Sequence, residues 1–237
     1  MPVYKIAGIG VEYEGKYDML IERSRKYLAD DDTSPLFSLK TNPTIIKSLR
    51  KQYPQSNEAE YEYTDIGASF NREIINYDGI MLHASAVAVD GCAYLFSAPS
   101  GMGKSTHTQM WQKLFGKDQA VIINDDKPVI RKIDGVYYAF GTPFSGKHDI
   151  SENTGFPVKG ICFVLRGDKN IIKNLSTKDA VTPFLNQTIK PFDMEGYLKM
   201  LSIADDLLCT VPCYSLLCKA DVEAAEIAYN AMKGEIK

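Results

Sequence analysis

Ala98-Pro99-Ser100-Gly101-Met102-Gly103-Lys104-Ser105 fits the phosphate-loop pattern GxxxxGK(S/T) at every defined position except the first, where alanine stands for glycine. An apolar run, residues 92–96, leads into it, and a helical pattern over residues 106–115 follows and stops at Gly116. Glycines at 101 and 103 let the backbone turn its N–H groups inward toward phosphate oxygens, and the helix adds the positive end of its dipole. In such a loop Lys104 reaches the β- and γ-phosphates and the Ser105 hydroxyl ligates Mg²⁺, while Ser100, Gly101, Met102, Gly103 and Thr106 complete the nucleotide contacts. A left-handed alanine would cost about 1–2 kcal/mol, so Ala98 is expected at negative φ. The alternative is a glycine-rich turn between strand and helix with an incidental lysine.

Working outward, Asp125 lies 21 residues after Lys104, a separation that holds one helix and a return strand. Val121-Ile122-Ile123-Asn124-Asp125-Asp126 reads as an apolar strand ending in two carboxylates, as a Walker B element does. The carboxyl ends of parallel strands lie beside a phosphate loop, which would bring Asp125 and Asp126 to the γ-phosphate and its metal. One carboxylate suffices for Mg²⁺, and a second can take the proton of an attacking hydroxyl. Alone, the pair would read as a solvated Asp-Asp turn before Lys127-Pro128.

The surrounding chain supplies the context. Residues 83–89 and 92–96 are short apolar strands joined by Asp90-Gly91, a two-residue hairpin turn. Further strands are expected at 136–140, 161–165 and 214–217, and helices at 193–208 and 220–232. Residues 1–80 are polar and tyrosine-rich, with a strand expected at 4–13, helix-like patches at 17–28 and 44–53, and surface loops at 30–35 and 54–62. Mixed strands and helices in this order point to an α/β fold with a mixed central sheet. The expected division is a small N-terminal α/β region, residues 1–80, packed on a nucleotide-binding domain, residues 81–237.

Composition excludes several classes. With 237 residues, 45% of them hydrophobic and 24% charged, the chain can build a large core without disulfides. Its 27 basic and 30 acidic residues give a net charge of -3, which supplies no general attraction to nucleic acid or anionic membrane. No apolar run approaches the ~20 residues of a membrane span, and no signal-peptide succession opens the chain, so a cytoplasmic location is expected. The five cysteines are expected as free thiols. Cys209, Cys213 and Cys218 form no CxxC pair and have no neighbouring histidine, so a zinc site is not expected. No heptad seam advertises an oligomer, and oligomeric state stays open.

Leu82-His83-Ala84-Ser85-Ala86-Val87, Phe96 to Thr106, Asn124-Asp125-Asp126-Lys127-Pro128 and Gly141-Thr142-Pro143-Phe144-Ser145-Gly146 together resemble HPr kinase/phosphorylase-related kinases. That family shares the phosphoenolpyruvate carboxykinase-like P-loop fold, and the resemblance spans roughly residues 80–235. It implies a nucleotide-binding domain like the HPr kinase C-terminal domain, ATP and Mg²⁺ as cofactors, and transfer of the γ-phosphoryl group to a hydroxyl of a phosphoacceptor protein, peptide or small molecule. It further implies catalytic roles for Asp125, Asp126, Lys104 and His83, and metal ligation by Ser105, Asp125 and Asp126. His83 matches the histidine of the family's Leu-His-Gly segment, although Ala84 replaces the glycine here. A histidine at a strand start would otherwise read as structural. The separate N-terminal domain of HPr kinase has no counterpart in residues 1–80, so HPr itself is not the expected substrate. Lys147 and His148, after the Gly141–Gly146 loop, are placed to meet phosphate or an anionic acceptor, and Arg131 is a further candidate to steady the phosphoryl group; each also reads as a solvated cation. Two rival functions are a nucleotide-binding scaffold without transfer and a decarboxylating carboxykinase.

Overall fold

The computed structural model describes residues 1–234. The chain opens with an antiparallel hairpin, β1 (Val3–Ile6) and β2 (Ile9–Glu12), followed by α1 (Asp18–Ser24) and the short β3 (Phe37–Ser38), which pairs parallel with β2. Residues 4–13 were expected as one strand, but Ala7 and Gly8, at φ 52° and 76°, fold them into two. Apolar alternation continues across this turn, which hides it from a pattern reading. Helix α2 (Pro43–Gln52) is capped by the Asn42 side chain, which accepts from the Thr44 and Ile45 amides.

Helix α3 (Glu58–Ile74) corrects the expectation of a loop over residues 54–62. Its capping box was visible in Asn57-x-x-Glu60: the Asn57 side chain accepts from the Glu60 amide, and the Glu60 carboxylate accepts from the Asn57 amide. Beyond it come β4 (Gly79–Met81), β5 (Ala84–Val89), β6 (Cys92–Ser97), α4 (Lys104–Phe115), β7 (Val121–Asn124), β8 (Val129–Ile133) and β9 (Val136–Phe140). The last third holds β10 (Gly155–Arg166), β11 (Ile171–Leu175), α5 (Thr177–Leu185), α6 (Met194–Thr210), β12 (Cys213–Cys218) and α7 (Val222–Met232). Sequence patterning missed β4, β8, β11 and α5. Strand β11 is a largely exposed edge strand, and α5 carries Pro183 inside its span, so neither shows the usual signal.

The main sheet has nine strands and is mixed and curled. Its path runs β4-β8-β9-β10-β6-β5-β7, with β12 also against β10 and β11 against β12. The curl follows from the length of β10, which has 12 residues. Its first residues pair antiparallel with β9, and its later ones pair parallel with both β6 and β12. Strand β5 lies antiparallel between β6 and β7, so β6 and β7 run the same way. The carboxyl ends of β6, β7, β10 and β12 therefore meet on one edge, which is where open α/β sheets place their ligands.

Both faces of the central strands are covered, so these strands read as continuous apolar runs. Along β6, Ala93 and Leu95 pack with Phe184, Leu207 and Leu208 of α5 and α6, while Tyr94 and Phe96 pack with Trp111 of α4 and Ala224 and Ala228 of α7. A third cluster joins Tyr13, Leu20, Phe70 and Ile74 to Met81, Val129 and Phe144, so residues before and after 80 share one packed core. All five cysteines are free thiols. No helix among the described residues is long and apolar enough to cross a membrane.

Candidate active site

Strand β6 ends at Ser97, and the next six residues form a loop that closes on α4. Gly101 and Gly103 sit at φ 78° and 99°, in the left-handed region open to glycine, and an added Cβ at either would meet nothing within 4 Å. Glycine is thus required there by backbone conformation, and the concave side of the loop stays open. Ala98 is not among the residues with positive φ, in agreement with the expectation for that position.

Lys104 is the first residue of α4 and is buried. Its Nζ donates to the carbonyls of Ala98 at 2.8 Å and Pro99 at 3.4 Å, and lies 3.0 Å from Nε2 of His83. Burial lowers its pKa, with Asp126 and Asp125 acting in the opposite direction.

The acidic turn is organised by Asn124, a residue to which the sequence reading assigned no role. Its Oδ1 accepts from the amides of Asp126 and Lys127, and its Nδ2 donates to the Thr142 carbonyl at 3.0 Å. The signal was available, because asparagine before a turn commonly bonds the backbone two residues on. The two aspartates that follow have different environments. Asp125 is buried and accepts from Ser85 at 2.7 Å and from Ser105; burial raises its pKa in spite of these hydrogen bonds. Burial also raises that of Asp126, but hydrogen bonds from His83 and Lys127 and the charge of Lys127 outweigh it and hold the carboxyl at about 2. His83 Nε2 stands 3.3 Å from Asp126 Oδ1, and its Nδ1 lies 2.8 Å from Gln187 Oε1.

A cavity of about 460 Å³ collects these groups. His83, Ser100, Gly101, Gly103, Lys104, Ser105, Thr106, Asp125, Asp126 and Lys147 all line it, so of the expected site residues only Met102 and the further candidate Arg131 lie outside it. Met102 lines a neighbouring cavity instead. His148 joins the wall with Lys147, and Gly146 packs so closely on Asp126 that an added Cβ would lie 2.8 Å from the aspartate Cβ. That loop is anchored by the N-terminal region: Tyr63 of α3 accepts from the Gly146 amide at 3.2 Å, and Phe144 packs on Phe70.

Arg131 lies elsewhere. Its guanidinium donates to the carbonyls of Tyr77 and Ala7, tying β8 to the N-terminal hairpin, and it is absent from the cavity wall. Arg166, at the end of β10, is on that wall and donates to the Gly101 carbonyl at 3.3 Å. Sequence reasoning did not single it out, because only the parallel pairing of β10 with β6 brings its strand end to the loop.

In chemical terms the cavity wall offers two lysine side chains, four hydroxyls, two imidazoles, a guanidinium and two carboxylates of unequal basicity. No family model matches the chain, and no curated protein matches it. Among solved structures it is similar to the Hpr(Ser) kinase/phosphatase from Coxiella burnetii, at a TM-score of 0.36 and 10% identity, with 65% of this chain and 93% of that chain covered.

Proposed function

We propose that the chain is an ATP- and Mg²⁺-dependent kinase that transfers the γ-phosphoryl group to a hydroxyl of a protein, peptide or small-molecule acceptor. The observation that carries this is the shared cavity in which Lys104, Ser105, Asp125, Asp126 and His83 face the open glycine loop. The residues fit the metal as well. Asp125 and Ser105 are hydrogen-bonded hard oxygen donors beside the loop, and Mg²⁺ characteristically takes one or two protein ligands and completes its shell with phosphates and water. Among the described residues no group of three His, Cys, Asp or Glu side chains is placed to hold a metal by itself. Bound there, Mg²⁺ would neutralise charge on the β- and γ-phosphates.

The protein groups divide the remaining work. Lys104 exchanges the Ala98 carbonyl for phosphate oxygens and offsets their growing charge. Nε2 of His83 lies between the Lys104 ammonium and the Asp126 carboxylate, and one nitrogen can accept from the first or donate to the second, not both at once. In the donor form, which helps to depress the Asp126 carboxyl, His83 orients that carboxylate, and one of the two aspartates takes the acceptor's hydroxyl proton. The acceptor oxygen bonds to the γ-phosphorus as the bond to the leaving ADP oxygen breaks. Asp126, ionised down to about pH 2, suits the role of counter-ion better than that of base.

The test incubates the purified chain with γ-labelled ATP, Mg²⁺ and cytosolic fractions. The expected result is a labelled acceptor with the wild type and none with Lys104→Ala. Tight ATP binding without any labelled acceptor would favour the scaffold, and undiminished ATP consumption by Lys104→Ala would overturn the site.

A further inference from the structure

Thr188 forms an antiparallel bridge with Leu82, and beside it the His83 amide donates to the Gln187 carbonyl at 2.8 Å. Gln187 in turn donates its own amide to the Phe184 carbonyl in the last turn of α5, at 3.0 Å. These main-chain bonds hold the Gln187 side chain against one edge of the His83 ring, where Oε1 lies 2.8 Å from Nδ1. Gln187 is only partly buried and is absent from the wall of the catalytic cavity, so its influence on the site passes through His83.

The hydrogen bonds around His83 locate its proton. An ammonium carries three N–H groups and no acceptor. The Lys104 Nζ faces the carbonyls of Ala98 and Pro99 and, at 3.0 Å, Nε2 of His83. Nε2 receives an N–H only through a lone pair, so the proton of the neutral ring is on Nδ1, and Gln187 Oε1 is the acceptor it needs. A carboxamide also carries a donor NH2 on the same planar group. Half a turn about the last side-chain bond of Gln187 sets that NH2 against Nδ1. Nδ1 must then be the bare nitrogen, and Nε2 carries the proton and donates to Asp126 Oδ1, 3.3 Å away.

We propose that Gln187 is a positioning residue whose amide sets the His83 tautomer, one orientation retaining Lys104 at the loop carbonyls and the other orienting the Asp126 carboxylate. The ring's charge is conserved: it gives the Nδ1 proton to water and takes one from water at Nε2. The trigger is the turn of Lys104 toward phosphate, which removes the N–H that kept Nε2 bare; here the inference rests on the phosphate-loop reading above.

The experiment records imidazole nitrogen-15 shifts of the full chain at about pH 8.5, well above the ordinary histidine pKa of about 6.5, so that neutral rings are read. His83 is assigned by the signals lost in His83→Gln. Before nucleotide is added, its proton should be on Nδ1 in the wild type and in Gln187→Glu, which keeps the acceptor. Gln187→Leu, which keeps the main-chain bonds and has neither donor nor acceptor, should give a mixture of both tautomers. On saturation with Mg-ATP the wild-type Nδ1 should move from the N–H range to the lone-pair range, whereas Nδ1 of Gln187→Glu should stay protonated, because a carboxylate cannot donate. The assignment is overturned by a wild-type proton on Nε2 before ATP, by ATP binding that leaves the wild-type Nδ1 protonated, by a Gln187→Leu tautomer identical to wild type, or by a Gln187→Glu ring that follows the wild type. Calorimetry on the same samples separates the two readings: a wild type that binds no Mg-ATP defeats the phosphate-loop reading, and this inference with it, whatever tautomer is recorded.

Discussion

Replacing Asp126 by asparagine isolates the electrostatics of the site without changing the shape of the side chain. The Asp126 carboxyl is held at about 2, against 3.8 for an ordinary aspartate, by His83 and Lys127 acting against burial. At about 1.4 kcal/mol per pH unit, that interval corresponds to roughly 2–3 kcal/mol of folding stability near pH 7. The sign follows from the depressed value: the ionised form is the one the folded state favours. The contribution is complete above the unfolded-state pKa and is lost as pH falls through the folded one. Wild type should therefore exceed Asp126→Asn by roughly 2–3 kcal/mol at pH 6–7, by about half that near pH 3, and by almost nothing near pH 2. Asp125, raised by burial, acts in the opposite sense but is common to both proteins. Urea unfolding at a series of pH values measures the difference directly. A gap that stays constant from pH 6 to pH 3, or an asparagine variant that is the more stable at pH 7, would refute the reasoning.

Two glycines give purely steric tests. Gly146→Ala would place a Cβ 2.8 Å from that of Asp126 at a φ of 73°, so a stability loss of about 1–2 kcal/mol is expected together with a displaced Asp126 and reduced phosphoryl transfer; thermal melting and labelled-ATP turnover check the two parts. Gly141→Ala meets backbone, with the Glu152 carbonyl oxygen at 1.9 Å and that of Ile123 at 2.7 Å from the new Cβ, and no side-chain motion relieves the clash. Its cost should exceed about 3 kcal/mol, seen as loss of soluble protein or a greatly lowered urea midpoint; a near-wild-type midpoint would contradict the close packing of this loop on β7.

Local chemistry in the chain determined much of what surrounds the loop. Asp90-Gly91 specified the hairpin, and both residues adopt positive φ, at 52° and 72°. The pattern from Ala98 to Ser105 specified a strand, a glycine turn and a helix, because the glycines have no Cβ to forbid the left-handed region and the lysine follows at the helix start. The apolar run from 121 to 123 specified a strand that stops at the acidic pair. These features depend on neighbours a few residues apart, so one segment carries enough information to fix them.

What separates the two aspartates was decided elsewhere in the chain. Asp125 owes its raised pKa to burial, against the hydrogen bond from Ser85, whereas Asp126 owes its lowered one to His83, 43 positions upstream, and to the adjacent Lys127. The Gly146 loop is tied down by Tyr63, and Arg166 arrives through the pairing of β10 with β6. Likewise, Trp111 of α4 donates to His107 Nε2 from within a core assembled from four strands and two helices. Desolvation and charge act through space over a few ångströms. The groups that meet there are set by strand order and helix packing, which single segments read in isolation do not specify.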